Sequence, residues 1–274
     1  MTQIVKGTEN DYKIVRQVAK ATDYQLYLCK QEGTERQYLL QIASATEQNG
    51  GLQKFAYILE ELKNRADDLE KEYEKVKKDD RIFLNYNFGF PELVDSFVSP
   101  EQGDRWINIF AFKNVDKVNQ MVPLSNLREK DSQRIDLRTS AWIMGKLLKM
   151  LVFAHNQGIL VNMLTRNNIL IQPKEHYVVI FDWHLSTINP EMIPREERCA
   201  EISKAAQSVV AALGGNLETG EIPDSDDETK LYACYLLGLA RGEESDAQRA
   251  HSDFYKIVDS LWRREYYPFT TKPF

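Results

Sequence analysis

Residues 158–171 read GILVNMLTRNNILI, and residues 179–186 read VIFDWHLS. Apolar runs flank a polar middle in the first stretch. The second runs apolar into Asp182 and then breaks at Trp183 and His184. Between them, QPKEH carries proline and charge. The pattern predicts a short strand, a polar loop ending in Asn168, a second strand, a turn, and a third strand running into Asp182.

Upstream of this stretch the pattern is helical. Leu137, Ala141, Met144, Leu148, Leu151 and His155 share one face, and Gly158 supplies a C-terminal stop. After Pro194 the chain reads helical again, first in EISKAAQSVVAAL up to Gly214, then near 228–241 and 246–263. The terminal WRREYYPFTTKPF is dense in aromatic residues, which predicts a tail packed on this helical part.

The N-terminal part is different. YKIVRQV, YQLYLCK and RQYLLQIA, within 12–43, are rich in β-branched and aromatic residues and predict antiparallel strands. Two more strands are predicted in FGFPELVDSFV (88–98) and WINIFAF (106–112). Between these groups, Leu52, Phe55, Leu59, Leu62, Ala66, Leu69, Tyr73 and Val76 alternate steps of three and four among charged residues. This predicts a long amphipathic helix over 52–78. The reading favours a helix lying on its own sheet; the alternative is a coiled-coil arm for a partner or a second copy. The expected domains are a β-rich lobe over 1–115 and a mainly helical lobe over 116–274, an α+β architecture.

Composition sets outer bounds. The chain has 274 residues, 43% hydrophobic and 28% charged, with net charge -6. This is ordinary for a soluble globular protein and gives no sign of a nucleic-acid partner. No apolar run is long enough for a membrane span, and MTQIVKGTENDYK lacks a signal-peptide core. Cys29, Cys199 and Cys234 are scattered, neither a disulfide framework nor a zinc set. The expectation is a reduced, cytoplasmic protein.

A small β lobe with one helix, followed by a helical lobe with this hairpin, resembles the protein kinases. FAHNQGILVNMLTRNNILI is similar to the kinase segment LHSxGIxHRDLKPxNILI, and IFDW stands where IDFG would stand. The resemblance runs from about Tyr12 to Trp262 and implies a bilobal kinase-like fold. A finer similarity, in GILVNMLTRNNILI and the closing LWRREYYPF, is to bacterial kinase-like domains encoded with or near J-domain co-chaperones. It implies a protein partner in a chaperone system.

Matched position by position, the kinase chemistry is depleted. The phosphate-covering G-x-G-x-x-G becomes Ala19-Lys20-Ala21-Thr22-Asp23-Tyr24. Glycine lets bare backbone approach phosphate oxygens; Tyr24 would crowd that approach and Asp23 would repel the anion. The strand lysine that binds α and β phosphates becomes Gln41, which donates a hydrogen bond without a charge. Its helix partner would be a glutamate such as Glu72. The proton acceptor of the catalytic loop becomes Met163, whose thioether cannot take a hydroxyl proton.

Asn168 and Asp182 keep the two magnesium positions, and hard oxygen ligands of this type suit magnesium held between protein and phosphates. The competing reading is structural: Asn168 ties the loop and Asp182 caps a turn. His184 replaces the glycine that follows the metal aspartate, which predicts a fixed segment. The interval from Asp182 to Pro194 leaves little room for a substrate-binding loop. Glu201 is expected to anchor the next long helix to the catalytic loop.

The implied cofactor is Mg-ATP, held weakly through Asn168, Asp182 and Gln41, with no catalytic residue. Kinase catalysis is positioning and charge stabilisation, so these losses together favour an interaction or regulatory module over an enzyme. The rival is an atypical phosphotransferase or nucleotidyl transferase with relocated residues, its cation supplied by Lys20, Lys30 or Arg166.

Overall fold

A computed structural model of the chain describes residues 3–79, 83–162, 164–189, 191–263, 265 and 267–274. The residues cluster into two compact units, Met1–Met121 with Asp182–His184, and Val122–Phe181 with Leu185–Phe274. The division in the chain thus falls after Met121, where the sequence places it after 115. The short Asp182–His184 segment joins the β-rich unit.

The first unit is built on a 6-stranded antiparallel sheet. Its strands are β1 (Ile4–Lys6), β2 (Asp11–Lys20), β3 (Tyr24–Gln31), β4 (Gln37–Ala43), β5 (Glu92–Ser99) and β6 (Arg105–Ala111). They lie in the order β1-β2-β3-β4-β6-β5. Strand β1 has no counterpart in the sequence reading. Register shifts between Ile14 and Arg16 and between Gln17 and Ala19 break the β2–β3 pairing, as β-bulges do.

Alternation sorts the side chains. One face carries an apolar cluster including Val5, Tyr12, Cys29, Tyr38, Leu40, Ile42, Ile107 and Ile109. The other carries Leu26, Leu39, Gln41, Asn108 and Phe110, because Leu26 pairs with Gln41, Gln41 with Asn108, and Leu39 with Phe110. Helix α1 (Asn49–Val76) packs on this second face. Its Phe55 ring lies 5.2 Å from Phe110, and both are fully buried.

The seam of α1 is buried at Leu52, Phe55, Leu59, Leu62 and Ala66, which supports the helix-on-its-own-sheet reading over that span. It then runs out, and Val76 is 72% exposed. Beside this last part the chain turns back: Glu70 accepts from the backbone N–H groups of Leu84 and Asn85, each at 3.0 Å.

The second unit contains β7 (Val122–Pro123), α2 (Asn126–Glu129), β8 (Gln133–Ile135), α3 (Leu137–Asn156), β9 (Ile159–Leu160), β10 (Ile169–Gln172), β11 (Tyr177–Ile180), β12 (Thr187–Ile188), α4 (Arg195–Leu213), α5 (Lys230–Ala240), α6 (Ala247–Leu261) and β13 (Thr271–Pro273). Asp136 caps α3 by accepting from Thr139 N–H at 2.7 Å. Gly158 follows the Gln157 C-cap of this helix, and its φ of +70 suits glycine. A Cβ there would lie 2.3 Å from the Asn189 carbonyl oxygen, and Asn189 N–H donates to the Gly158 carbonyl at 2.7 Å. The aromatic tail packs on this unit as the sequence predicts: β13 pairs antiparallel with β8, and the Phe274 ring sits 4.2 Å under the Arg128 guanidinium.

Candidate functional site

The hairpin at the heart of the sequence reading is β10–β11, antiparallel from Ile169↔Ile180 to Gln172↔Tyr177. Asn168 stands just before β10 and is buried. Its N–H donates to the Thr165 carbonyl at 2.9 Å, and its carbonyl accepts from Phe181 N–H at 3.0 Å. The residue therefore closes the loop at the strand end, whatever its side chain binds.

The preceding loop is held from several sides within the second unit. Buried Glu201, on α4, accepts from Asn162 N–H at 2.6 Å and pairs with His155 at 3.0 Å. This is the anchoring role expected for Glu201. Asn162 has a φ of +61, and its side-chain amide donates to the Leu185 carbonyl at 3.1 Å. Ser186 donates to the Val161 carbonyl and Ser208 to the Leu164 carbonyl, each at 3.0 Å. Val161, Asn162 and Leu164 are thus each tied to neighbouring elements of this unit. Met163, which replaces the proton acceptor, lies outside the described residues.

Asp182 is buried in the first unit, and both its oxygens carry donors. The Tyr24 hydroxyl donates to Oδ2 at 2.7 Å. His184 donates twice to Oδ1, from its backbone N–H at 3.0 Å and from Nδ1 at 2.7 Å. Burial and then the Asp182 charge push the Tyr24 phenol above its ordinary range, so it remains a donor at neutral pH. The Asp182 hydrogen bond raises the His184 pKa against burial, and Asp23 raises it while Lys54 lowers it. Fully buried Trp183 turns its ring edge to Phe90, with ring centroids 6.5 Å apart. The Tyr24 and His184 rings meet edge to face at 6.2 Å. The segment after β11 is thus tied to Tyr24 and Phe90 within the first unit.

The residues that lock Asp182 stand at positions where the kinase pattern has glycine. Tyr24 replaces the last glycine of the phosphate loop, and His184 replaces the glycine after the metal aspartate. That Tyr24 would crowd phosphate is visible from its position alone; its bond to Asp182 spans 158 positions and has no local signal.

Gln41 is completely buried and sits in a cross-strand polar ladder. Its Oε1 accepts from Asn108 Nδ2 at 3.1 Å, and the same Nδ2 donates to the Leu52 carbonyl at 3.0 Å. Asn108 Oδ1 accepts from Ser96 Oγ at 2.7 Å and from Trp106 Nε1 at 2.9 Å. Gln41 Nε2 is buried without a hydrogen-bond partner. The position that would carry a phosphate-binding ammonium therefore knits β4, β6 and β5 to the start of α1. Pairing of Tyr24 with Ala43 and of Leu26 with Gln41 sets Tyr24 and Gln41 on one face of the sheet.

The other first-unit cation and acid candidates do not join this group. Lys30 is paired with Glu35. It lies six residues along β3 from Tyr24, about 20 Å at strand spacing. Lys20 and Glu72 are exposed. Arg166 is half-buried in the second unit, with Nη1 buried and lacking a hydrogen-bond partner. Among the described residues, no group of three or more His, Cys, Asp or Glu side chains is placed to hold a metal ion. No helix among them is long and apolar enough to cross a membrane.

Oδ1 of Asp182 accepts two hydrogen bonds and Oδ2 one, so a metal bridging Asp182 to phosphates would have to share Oδ2 with the Tyr24 hydroxyl or displace a donor, and Gln41 brings no charge to offset that cost. The first-unit side chains do not fit the metal-nucleotide as they stand. No protein-family model and no curated protein sequence matches the chain. Its structure is similar to that of vaccinia related kinase 3, with a TM-score of 0.61 and 12% identity over 95% of this chain and 91% of that one. At that identity the likeness establishes the fold alone: a protein kinase-like fold, with a curled antiparallel β lobe and a helical lobe.

Proposed function

We propose that this chain is a catalytically degenerate kinase-like protein that works by binding, as an interaction or regulatory module. The observation that carries the reading is the double occupation of Asp182, by the Tyr24 hydroxyl on one oxygen and His184 on the other. Phosphoryl transfer needs metal at that carboxylate, a cation at the strand position and a base in the loop. Here the carboxylate is engaged, the strand position is a buried amide, and the base position is Met163.

Mg-ATP binding through Asn168 and Asp182 then competes with the Tyr24 hydroxyl for Oδ2, so it is weak. The partner is a protein, and the resemblance to bacterial kinase-like domains linked to J-domain co-chaperones makes a chaperone system the first candidate.

A thermal-shift titration with ATP and magnesium tests the nucleotide part. A ligand at its own dissociation constant stabilises by only about 0.4 kcal/mol. Millimolar Mg-ATP should therefore raise the melting temperature by about 1 °C or less. A rise of several degrees that Asp182→Ala abolishes would instead support the relocated-residue phosphotransferase.

A further inference from the structure

A concave patch on the second unit combines aromatic walls with a fixed guanidinium, and nothing in the kinase-like reading uses it. The walls are Trp142 on α3, Tyr255 on α6, and Trp262, Tyr267 and Phe269 beyond α6, around a cavity of about 130 Å³. All these aromatic residues are half-buried. We propose that this cavity binds one small planar aromatic ring carrying an anionic group.

Size sets the ring. An apolar cavity of about 150 Å³ accommodates a benzene molecule, so this one has room for a single six-membered ring. Aromatic walls favour a ring ligand through edge-to-face and offset contacts. Trp142 already meets Phe269 edge-on at 6.5 Å and the His176 ring at 4.5 Å.

Charge sets the substituent. Arg138 stacks 4.2 Å over the Tyr267 ring and donates from Nη2 to the Arg263 carbonyl at 3.1 Å, which fixes its guanidinium at the cavity. Arg263 and Glu265 form a loose exposed pair at 3.8 Å, and the Asp136 carboxylate is taken up by the Thr139 N–H and the Tyr267 and Thr270 hydroxyls, so Arg138 is the lining cation without an acidic partner among the described residues. Burial lowers the His176 pKa, so that ring adds no charge at neutral pH. An aromatic cage can hold a cation, but Arg138 already covers one aromatic face and repels a second positive charge. Neither the Trp142 nor the Trp262 indole N–H has a hydrogen-bond acceptor among the described residues. Both are donors suited to a carboxylate.

Tyr255 is seated at a cost to α3. Gly145 lies inside that helix, where glycine is less favourable than alanine. A Cβ at Gly145 would stand 2.6 Å from the Tyr255 hydroxyl oxygen. The helix thus keeps a weak helix former where a side chain would displace a wall of the cavity.

Saturation-transfer NMR on the full chain, with benzoate, benzylamine and cyclohexanecarboxylate as probes, tests the proposal. Benzoate should bind with a dissociation constant at or below about 1 mM. The other two should bind at least about tenfold more weakly, as they lack the charge or the ring. Trp142→Leu should weaken benzoate about tenfold, and Arg138→Gln should abolish its preference over benzylamine. Circular dichroism melts establish which variants fold; if Trp142→Leu does not, the half-buried Arg138 variant carries the test. Absent benzoate binding, equal binding of benzylamine, or undiminished charge preference in Arg138→Gln would overturn the proposal.

Discussion

Replacing Tyr24 by phenylalanine removes one hydroxyl and keeps the ring. In the wild-type chain that hydroxyl donates to the buried Oδ2 of Asp182 at 2.7 Å. A hydrogen bond to a charged group contributes about 1.5–3 kcal/mol. At neutral pH, Tyr24→Phe should therefore lose about that much stability, or about 3–12 °C in melting temperature at 2–4 °C per kcal/mol. The same change lifts the barrier to a metal at Oδ2. A cost of 1.5–3 kcal/mol converts to about 10- to 150-fold in affinity, so the variant should bind Mg-ATP more tightly than wild type by that factor. Calorimetric titration beside thermal melts, for wild type and Tyr24→Phe, measures both effects. A variant as stable as wild type to within about 0.5 kcal/mol, with unchanged Mg-ATP affinity, would refute the claim that Tyr24 guards Asp182.

The His184–Asp182 contact should appear as pH dependence. The folded pKa of His184 is raised above its ordinary value, chiefly by the Asp182 hydrogen bond. Its stabilisation is full below about pH 6.5 and is lost as pH rises through the folded value. Melts across that window should fall for wild type and flatten for His184→Asn. In the second unit, Glu201→Ala should cost about 1.5–3 kcal/mol, because it removes a buried carboxylate that holds Asn162 N–H and His155. Glu201→Gln should cost less, and chemical denaturation compares the two. Gln41→Leu removes one hydrogen bond to Asn108 but also a buried amide nitrogen without a partner. The opposing effects should leave stability within about 1 kcal/mol of wild type by the same measurement.

Periodic and local features were legible in the chain. Alternating steps of three and four marked the buried seam of α1 through Ala66, because one apolar stripe meets one sheet. Apolar runs around QPKEH marked β10 and β11, and Gly158 marked the end of α3, whereas the Asp136 cap emerges only in the structure. Strand β1 was not legible: three residues with one buried side chain, Val5, carry no alternation. Nor was the β8–β13 pairing, since each strand is only 3 residues long and the partners lie at opposite ends of the second unit.

Of the candidate site, the identities at Gln41, Asn168 and Asp182 could be placed by motif, but their partners could not. Tyr24 and Asp182 meet across 158 positions, and Gln41 finds Asn108 across 67. Such pairings follow from the sheet register and the return of the Asp182–His184 segment to the first unit, which no local pattern encodes. The aromatic cavity was visible only as a tail rich in aromatic residues, because its other walls come from α3 and α6.

The most direct test follows the γ-phosphate itself. Purified chain is incubated with γ-labelled ATP and magnesium, alone and with protein acceptors, beside an Asp182→Asn control. A carboxylate held by Tyr24 and His184, with no strand ammonium, should give no transfer above the control. Label appearing on any acceptor, and lost in Asp182→Asn, would contradict the account.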